Sequence, residues 1–171
     1  MKRIAVALLC VMFIWAATGC GSEYEWEDES GDGLKEVDMD SLEELYHIRI
    51  TAGDTVLSGV LYDTQTSRDF ADMLPLTVGL WHPAPDFARA FDLPESIPRY
   101  EKAGYEYELG SLAYWYEGPS IALIYKASRD QTVVPVVPVG KITSDVSFFE
   151  EYGDTITIEL DGLSDMESDE E

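Results

Sequence analysis

The chain has almost none of the residues that staple, metallate or attract polyanions. Its 171 residues include two cysteines, Cys10 and Cys20, and two histidines, His47 and His82. Cys10 lies in a segment expected to be removed, so the mature chain keeps one thiol and no internal disulfide can form. A two-histidine metal site needs both rings close together with a carboxylate, and the sequence gives no such spacing; no metal is expected. Positive charge is scarce too: 11 Lys and Arg stand against 34 Asp and Glu, a net charge of −23. No basic stripe forms anywhere, which excludes nucleic acid as a partner and makes an anionic lipid surface repulsive to the folded part. There is no G-x-S-x-G elbow, P-loop or dinucleotide fingerprint, so no cofactor is expected.

What is present begins with a short apolar run. Lys2 and Arg3 precede Ile4 to Ala17, a stretch too short to span a bilayer permanently, and Ala17-Thr18-Gly19 leads directly into Cys20. This resembles a bacterial lipoprotein signal over residues 1–19, in which the cysteine becomes the acylated first residue, carrying palmitate-type chains. Ala17 stands where that motif usually has leucine, and Ala17-Thr18-Gly19 also suits cleavage by the general signal peptidase. The resemblance implies a protein anchored to a membrane through Cys20, facing outside the cytoplasm in a bacterial cell envelope. Several acyl chains on one cysteine give stable anchoring where a single chain does not.

From Gly21 to Glu44, eleven acids accompany a single lysine, Lys35. Such a segment buries too little apolar area to offset its ordering, so residues 20–44 read as an acidic, solvated tether. Asp28, Ser30, Asp32 and Gly33 occupy the first, third, fifth and sixth places of an EF-hand-like loop. The twelfth place is Met39, not glutamate, and the tether reading prevails. The end, residues 161–171, has six acids and no base and reads as a disordered tail.

Residues 45–160 carry the fold. Ile48 and Ile50 alternate with polar neighbours, Ala52 to Thr55 supplies a turn, and Val56 to Tyr62 returns as the second arm of a hairpin. Thr66 is the expected N-cap of a short helix, with Asp69 in capping-box position and Phe70, Met73 and Leu74 on one face. Pro75 stops it, and Leu76 to Trp81 reads as a strand. Asp86 to Tyr100 reads as a loop with one helical turn around Phe87–Phe91. Ser111–Tyr116 and Ile121–Lys126 form a second hairpin. Val133 to Ile142 contains Pro135 and Pro138 and is expected at an edge, bulged or irregular. Thr155 to Leu160 alternates cleanly. About seven strands and one or two short helices suit a single core, and the expectation is an all-β, closed, mostly antiparallel β-barrel.

The order hairpin, then T-S-R-D-F-A-D-M-L-P-L, then D-L-P at Asp92–Pro94, G-Y at Gly104–Tyr105 and the Gly110–Tyr125 segment resembles the small bacterial cyclophilin-like domain family. The looser Val137–Ile142 segment fits the same pattern. The resemblance implies a β-barrel with a helix plugging one end, and no established activity. True cyclophilins carry a phenylalanine-histidine-arginine segment and a phenylalanine-methionine-x-glutamine segment; here Trp81-His82-Pro83-Ala84-Pro85 follows the corresponding strand. No catalytic residue is assigned.

Aromatic residues remain. Leu112, Tyr114 and Tyr116 share one strand face, and Ala113 and Trp115 the other. The expected ligand-binding set is Arg68 as a cation with Tyr114, Tyr116 and Tyr125 as hydroxyl donors, suited to a small anionic or carbonyl-bearing molecule. The function expected is a membrane-anchored, non-catalytic module for a small ligand or an envelope protein. The alternative is a weak peptidyl-prolyl isomerase acting on exported proteins.

Overall fold

The computed structural model describes residues 33–162. Cys20, the tether up to Asp32 and the tail beyond Gly162 lie outside them. The described chain forms eight strands. They are β1 (Glu44–Ala52), β2 (Thr55–Tyr62), β3 (Leu76–Gly79), β4 (Ala88–Asp92), β5 (Ser111–Trp115), β6 (Ser120–Ile124), β7 (Val137–Ile142) and β8 (Thr155–Leu160). All neighbouring strands run antiparallel, in the order β3-β8-β1-β2-β7-β5-β6-β4. The two ends of this sheet meet where Trp81, just past β3, exchanges backbone hydrogen bonds with Ala90 of β4 at 2.8 and 2.9 Å. That bridge brings the sheet to near closure as a barrel, the two ends meeting at this one point.

The two hairpins follow the alternation in the sequence. Gly53 takes φ 60° in the β1–β2 turn, a conformation cheap only for glycine. Ile48, Ile50, Ile156 and Ile158 point into the barrel and are at most 1 % exposed. The helix α1 (Gln65–Ala71) packs against β7 and β2, and its seat is polar at the start and apolar beyond. Its N-cap is Thr64, whose hydroxyl accepts from the Ser67 backbone N–H at 3.1 Å, so the cap lies two residues before the Thr66 expected. Thr66 is instead buried and donates to Glu101. Asp69 makes no capping box; it accepts from the Gln65 side chain at 2.8 Å. The Ser67 hydroxyl donates to the Val139 carbonyl at 2.7 Å, which fixes the helix to β7. Phe70 then drops into the core, 6.4 Å centroid to centroid from Phe91.

Further differences have local causes. The Asp86–Tyr100 stretch contains β4, not a helical turn. Phe87 and Phe91 are four residues apart, but Arg89 and Phe91 turn inward from an extended chain while Ala88 and Ala90 turn outward. β7 lies in mid-sheet between β2 and β5, not at an edge. Pro138 is tolerated there because the strand is bulged, one of the expected alternatives: Leu112 pairs with Gly140 and Ala113 with Pro138, leaving Val139 as the extra residue. Two 310 turns accompany α1: Met39–Ser41, within the stretch read as tether, and Val146–Glu150, N-capped by Asp145, which sends Phe149 into the core. Before β1, Lys35 bridges to Glu101, its N–H donating to the Tyr100 carbonyl at 2.9 Å, so the latter part of the stretch read as tether touches the barrel.

Phe70 is fully buried and is the large apolar side chain that α1 contributes to the barrel interior. Phe70→Ala is expected to lower stability by about 3–5 kcal/mol, measured by denaturant unfolding.

Candidate functional site

The outer face of β4, β6 and β5 is paved with small side chains. Ala90 lies opposite Ala122, and Ala122 opposite Ala113, so one alanine row crosses three strands. One step along, Asp92, Ser120 and Trp115 form the next row. Large side chains on this face would have filled the space above it. Two loop segments wall it in: Trp81, Pro83, Ala84 and Phe87 from the β3–β4 connection, and Thr132–Val134 with Val136 before β7. Trp115 completes a cleft of about 270 Å³.

Among the described residues, no charged side chain lines this cleft. Trp81 is 40 % exposed and Val133 53 % exposed, large apolar surface left uncovered beside it. Trp81 is held by its Nε1–H, which donates to Asp92 at 3.1 Å. The 81–87 wall is anchored as well. His82 Nε2 and Asp86 are 2.7 Å apart, and the Tyr125 hydroxyl donates to the same Asp86 oxygen. The Tyr125 hydroxyl, together with the His82 contact, holds the Asp86 carboxyl below the usual carboxylate range. Burial, then the bond and charge of Asp86, push the Tyr125 hydroxyl up to about 12.

The four side chains expected to bind ligand do not converge. Arg68 is paired with Asp63 and lines a separate, polar depression of about 300 Å³ with Glu101 and Gln65, and none of the three tyrosines lines it. Tyr114 is 1 % exposed, and its hydroxyl is used inside, accepting from the Ile97 N–H at 3.0 Å and donating to the Ile97 carbonyl at 3.2 Å. Tyr116 is stacked under Arg99, whose guanidinium carbon lies 4.1 Å from the ring centroid. Tyr125 is committed to Asp86 and lies beneath Arg89 at 5.5 Å. Arg89 itself is inward-facing: Nε donates to the carbonyls of Phe149 and Tyr152 at 2.9 and 3.0 Å, and Nη2 to Glu150 at 2.8 Å. It therefore caps the end of the 310 turn, where carbonyls lack partners. The cleft was signalled in the sequence by Ala113 and Trp115 alternating on the face opposite Tyr114, but its alanine row emerges only from strand register.

No group of three potential metal-ligating side chains gathers among the described residues. No helix among them is long and apolar enough to cross a membrane.

Because Tyr125 ionises later in the folded protein than in the unfolded one, its contribution to stability is complete below pH 10 and is lost as pH rises towards 12. The melting temperature is expected to fall across that window, and less steeply in Tyr125→Phe, as followed by circular dichroism.

Known proteins agree on the fold. The chain resembles the solution structure of the hypothetical protein AF2241 from Archaeoglobus fulgidus with a TM-score of 0.55 and 22 % identity, over 71 % of this chain and 98 % of that one. It also resembles McbB, solved in complex with tryptophan, with a TM-score of 0.52 and 12 % identity, over 67 % of this chain and 45 % of that one. No curated protein matches the sequence. The family model described as cyclophilin-like matches residues 50–161, from the first strand through the last, and on that match the chain belongs to the cyclophilin-like family.

Proposed function

We propose that this protein is a non-catalytic binding module, lipid-anchored through Cys20 outside the cytoplasm, whose barrel takes an uncharged, largely apolar ligand in the cleft on β4, β6 and β5. The observation that carries the reading is the lining itself: two tryptophans, a phenylalanine, a proline, alanines and valines, with no acid, base or imidazole among them. Such a surface gains by covering apolar area and has no side chain placed to transfer a proton within it. The isomerase alternative needs a cation beside the proline nitrogen. Arg89, the arginine on the strands of this face, is directed to three internal carbonyls, and Arg99 to Tyr116. The anchor rests on the Lys2–Cys20 signal-like segment.

The neutral fluorophore N-phenyl-1-naphthylamine is expected to brighten on binding the wild-type chain. Ala122→Phe, which fills the floor, should abolish the signal, and Arg68→Ala should leave it intact. Loss of signal in Arg68→Ala with retention in Ala122→Phe would move the site to the Arg68 depression. Proline-peptide isomerisation should proceed at its uncatalysed rate; an enzyme-like rate overturns the non-catalytic reading.

Cys20→Ala is expected to leave the signal uncleaved or release the protein to the soluble fraction, followed by membrane fractionation. A mature, membrane-bound Cys20→Ala protein would refute the lipid anchor.

A further inference from the structure

The chain carries a peptide already seated on its own surface. Residues 34–42, just before β1, form a strap that runs parallel to the segment around Glu101. The Lys35 N–H donates to the Tyr100 carbonyl at 2.9 Å, and the Lys102 N–H donates to the Lys35 carbonyl at 2.8 Å. Leu34, Val37, Met39 and Leu42 are half-buried, the acids between them are exposed, and the Lys102 ammonium meets Glu36 at 2.7 Å. The strap does not fill its seat. A hollow of about 340 Å³ remains on one flank, between Val37, Met39 and Lys102–Glu106. Another of about 300 Å³ lies on the other flank, towards Thr64 and Arg68. The 310 turn of the strap buries no residue, and the ion pair with Lys102 is exposed and worth little. Beneath the strap, the buried Glu101 carboxylate is satisfied by Gln65 and Thr66.

Lifting the strap therefore uncovers a groove with two backbone groups to satisfy, the Tyr100 carbonyl and the Lys102 N–H. One residue of an extended chain answers both, as Lys35 does in the closed form. We propose that this groove is a second binding site, for an extended segment of a partner protein, and that the strap is its internal stand-in. The strap supplies the partner's chemistry. Its backbone runs parallel to residues 100–102, its apolar side chains stand two residues apart as at Val37 and Met39, and a carboxylate reaches Lys102. A partner competes with a segment whose effective concentration is on the order of millimolar, so the site stays closed until the strap lifts. The inference does not rest on the apolar cleft.

The probe is a fluorescein-labelled peptide with the sequence of residues 34–42, read by anisotropy against the full chain. Val37→Asp with Met39→Asp loosens the strap and leaves the groove itself unchanged. That variant should bind the peptide, and wild type should bind it roughly ten-fold more weakly or not at all. Replacing the peptide's glutamate by glutamine, or adding Lys102→Ala to the loosened chain, should weaken binding roughly two- to five-fold, and both together no further. Hydrogen exchange on wild type needs no variant. The Lys35 and Lys102 amides should exchange by local opening, far faster than amides in the middle of β1. Equal protection would make the strap part of the core and overturn the proposal. No binding to the folded, loosened chain, or equal binding to both chains, overturns it as well. A wild type that sediments as a dimer, with a monomeric loosened variant, would name a second copy as the occupant and refute a foreign partner.

Discussion

One reciprocal pair of backbone hydrogen bonds, between Trp81 and Ala90, joins the two ends of an eight-stranded sheet. β3 pairs with β8 on one side and β4 with β6 on the other; between β3 and β4 the bridge at Trp81 is what holds the wall together. The same residue carries its indole to the outside, where Asp92 holds it over the alanine row. Closure of the barrel and construction of the cleft are therefore one event. Anything that lets Trp81 leave β4 opens the sheet and removes a wall of the cleft together.

Inside, the polar contacts serve assembly more than chemistry. Glu101 is 3 % exposed and accepts from the Thr66 hydroxyl and from the Gln65 N–H at 3.0 Å, so a buried carboxylate is satisfied by the first turn of α1. Ser67 ties that turn to β7, and Arg89 gathers three carbonyls of the 310 turn. Each is a case of an otherwise unpaired backbone or buried group finding a side chain, as a chain with short helices requires. The residues most chemical in appearance, Arg68, Arg89, Tyr114 and Tyr125, are all spoken for within the protein.

That explains how much was readable from the sequence. The hairpins, β8 and the helix after Tyr62 were legible because alternation and the 3.6-residue period are local properties. β4 was hidden because Ala88-Arg89-Ala90-Phe91 has no β-branched residue, and Phe87 and Phe91 imitate a helical face. For β7, Pro138 argued for an edge or a bulge; the strand is bulged at Val139 and lies in mid-sheet, and its place in the strand order is not contained in its own segment. For the site, Tyr114 read as a hydroxyl donor because nothing in its neighbourhood announces Ile97, seventeen positions away, as its partner. The alanine row depends on the registers Ala90–Ala122 and Ala122–Ala113, which no single segment contains.

The electrostatics of the whole chain and the neutrality of the cleft point the same way. A net charge of −23 sets a field that holds anions off, yet the lining of the cleft contributes none of that charge. A cation would be drawn to the surface generally but would find no carboxylate in the cleft to receive it, while Asp92 and Asp86 nearby are already engaged by Trp81 and by His82 with Tyr125. On the proposed reading, selection of an uncharged molecule would require no dedicated repulsive element. The apolar lining disfavours ions through the cost of removing their water. Under the proposed binding role, what distinguishes one neutral ligand from another is left to the shape set by the alanine row and the aromatic walls.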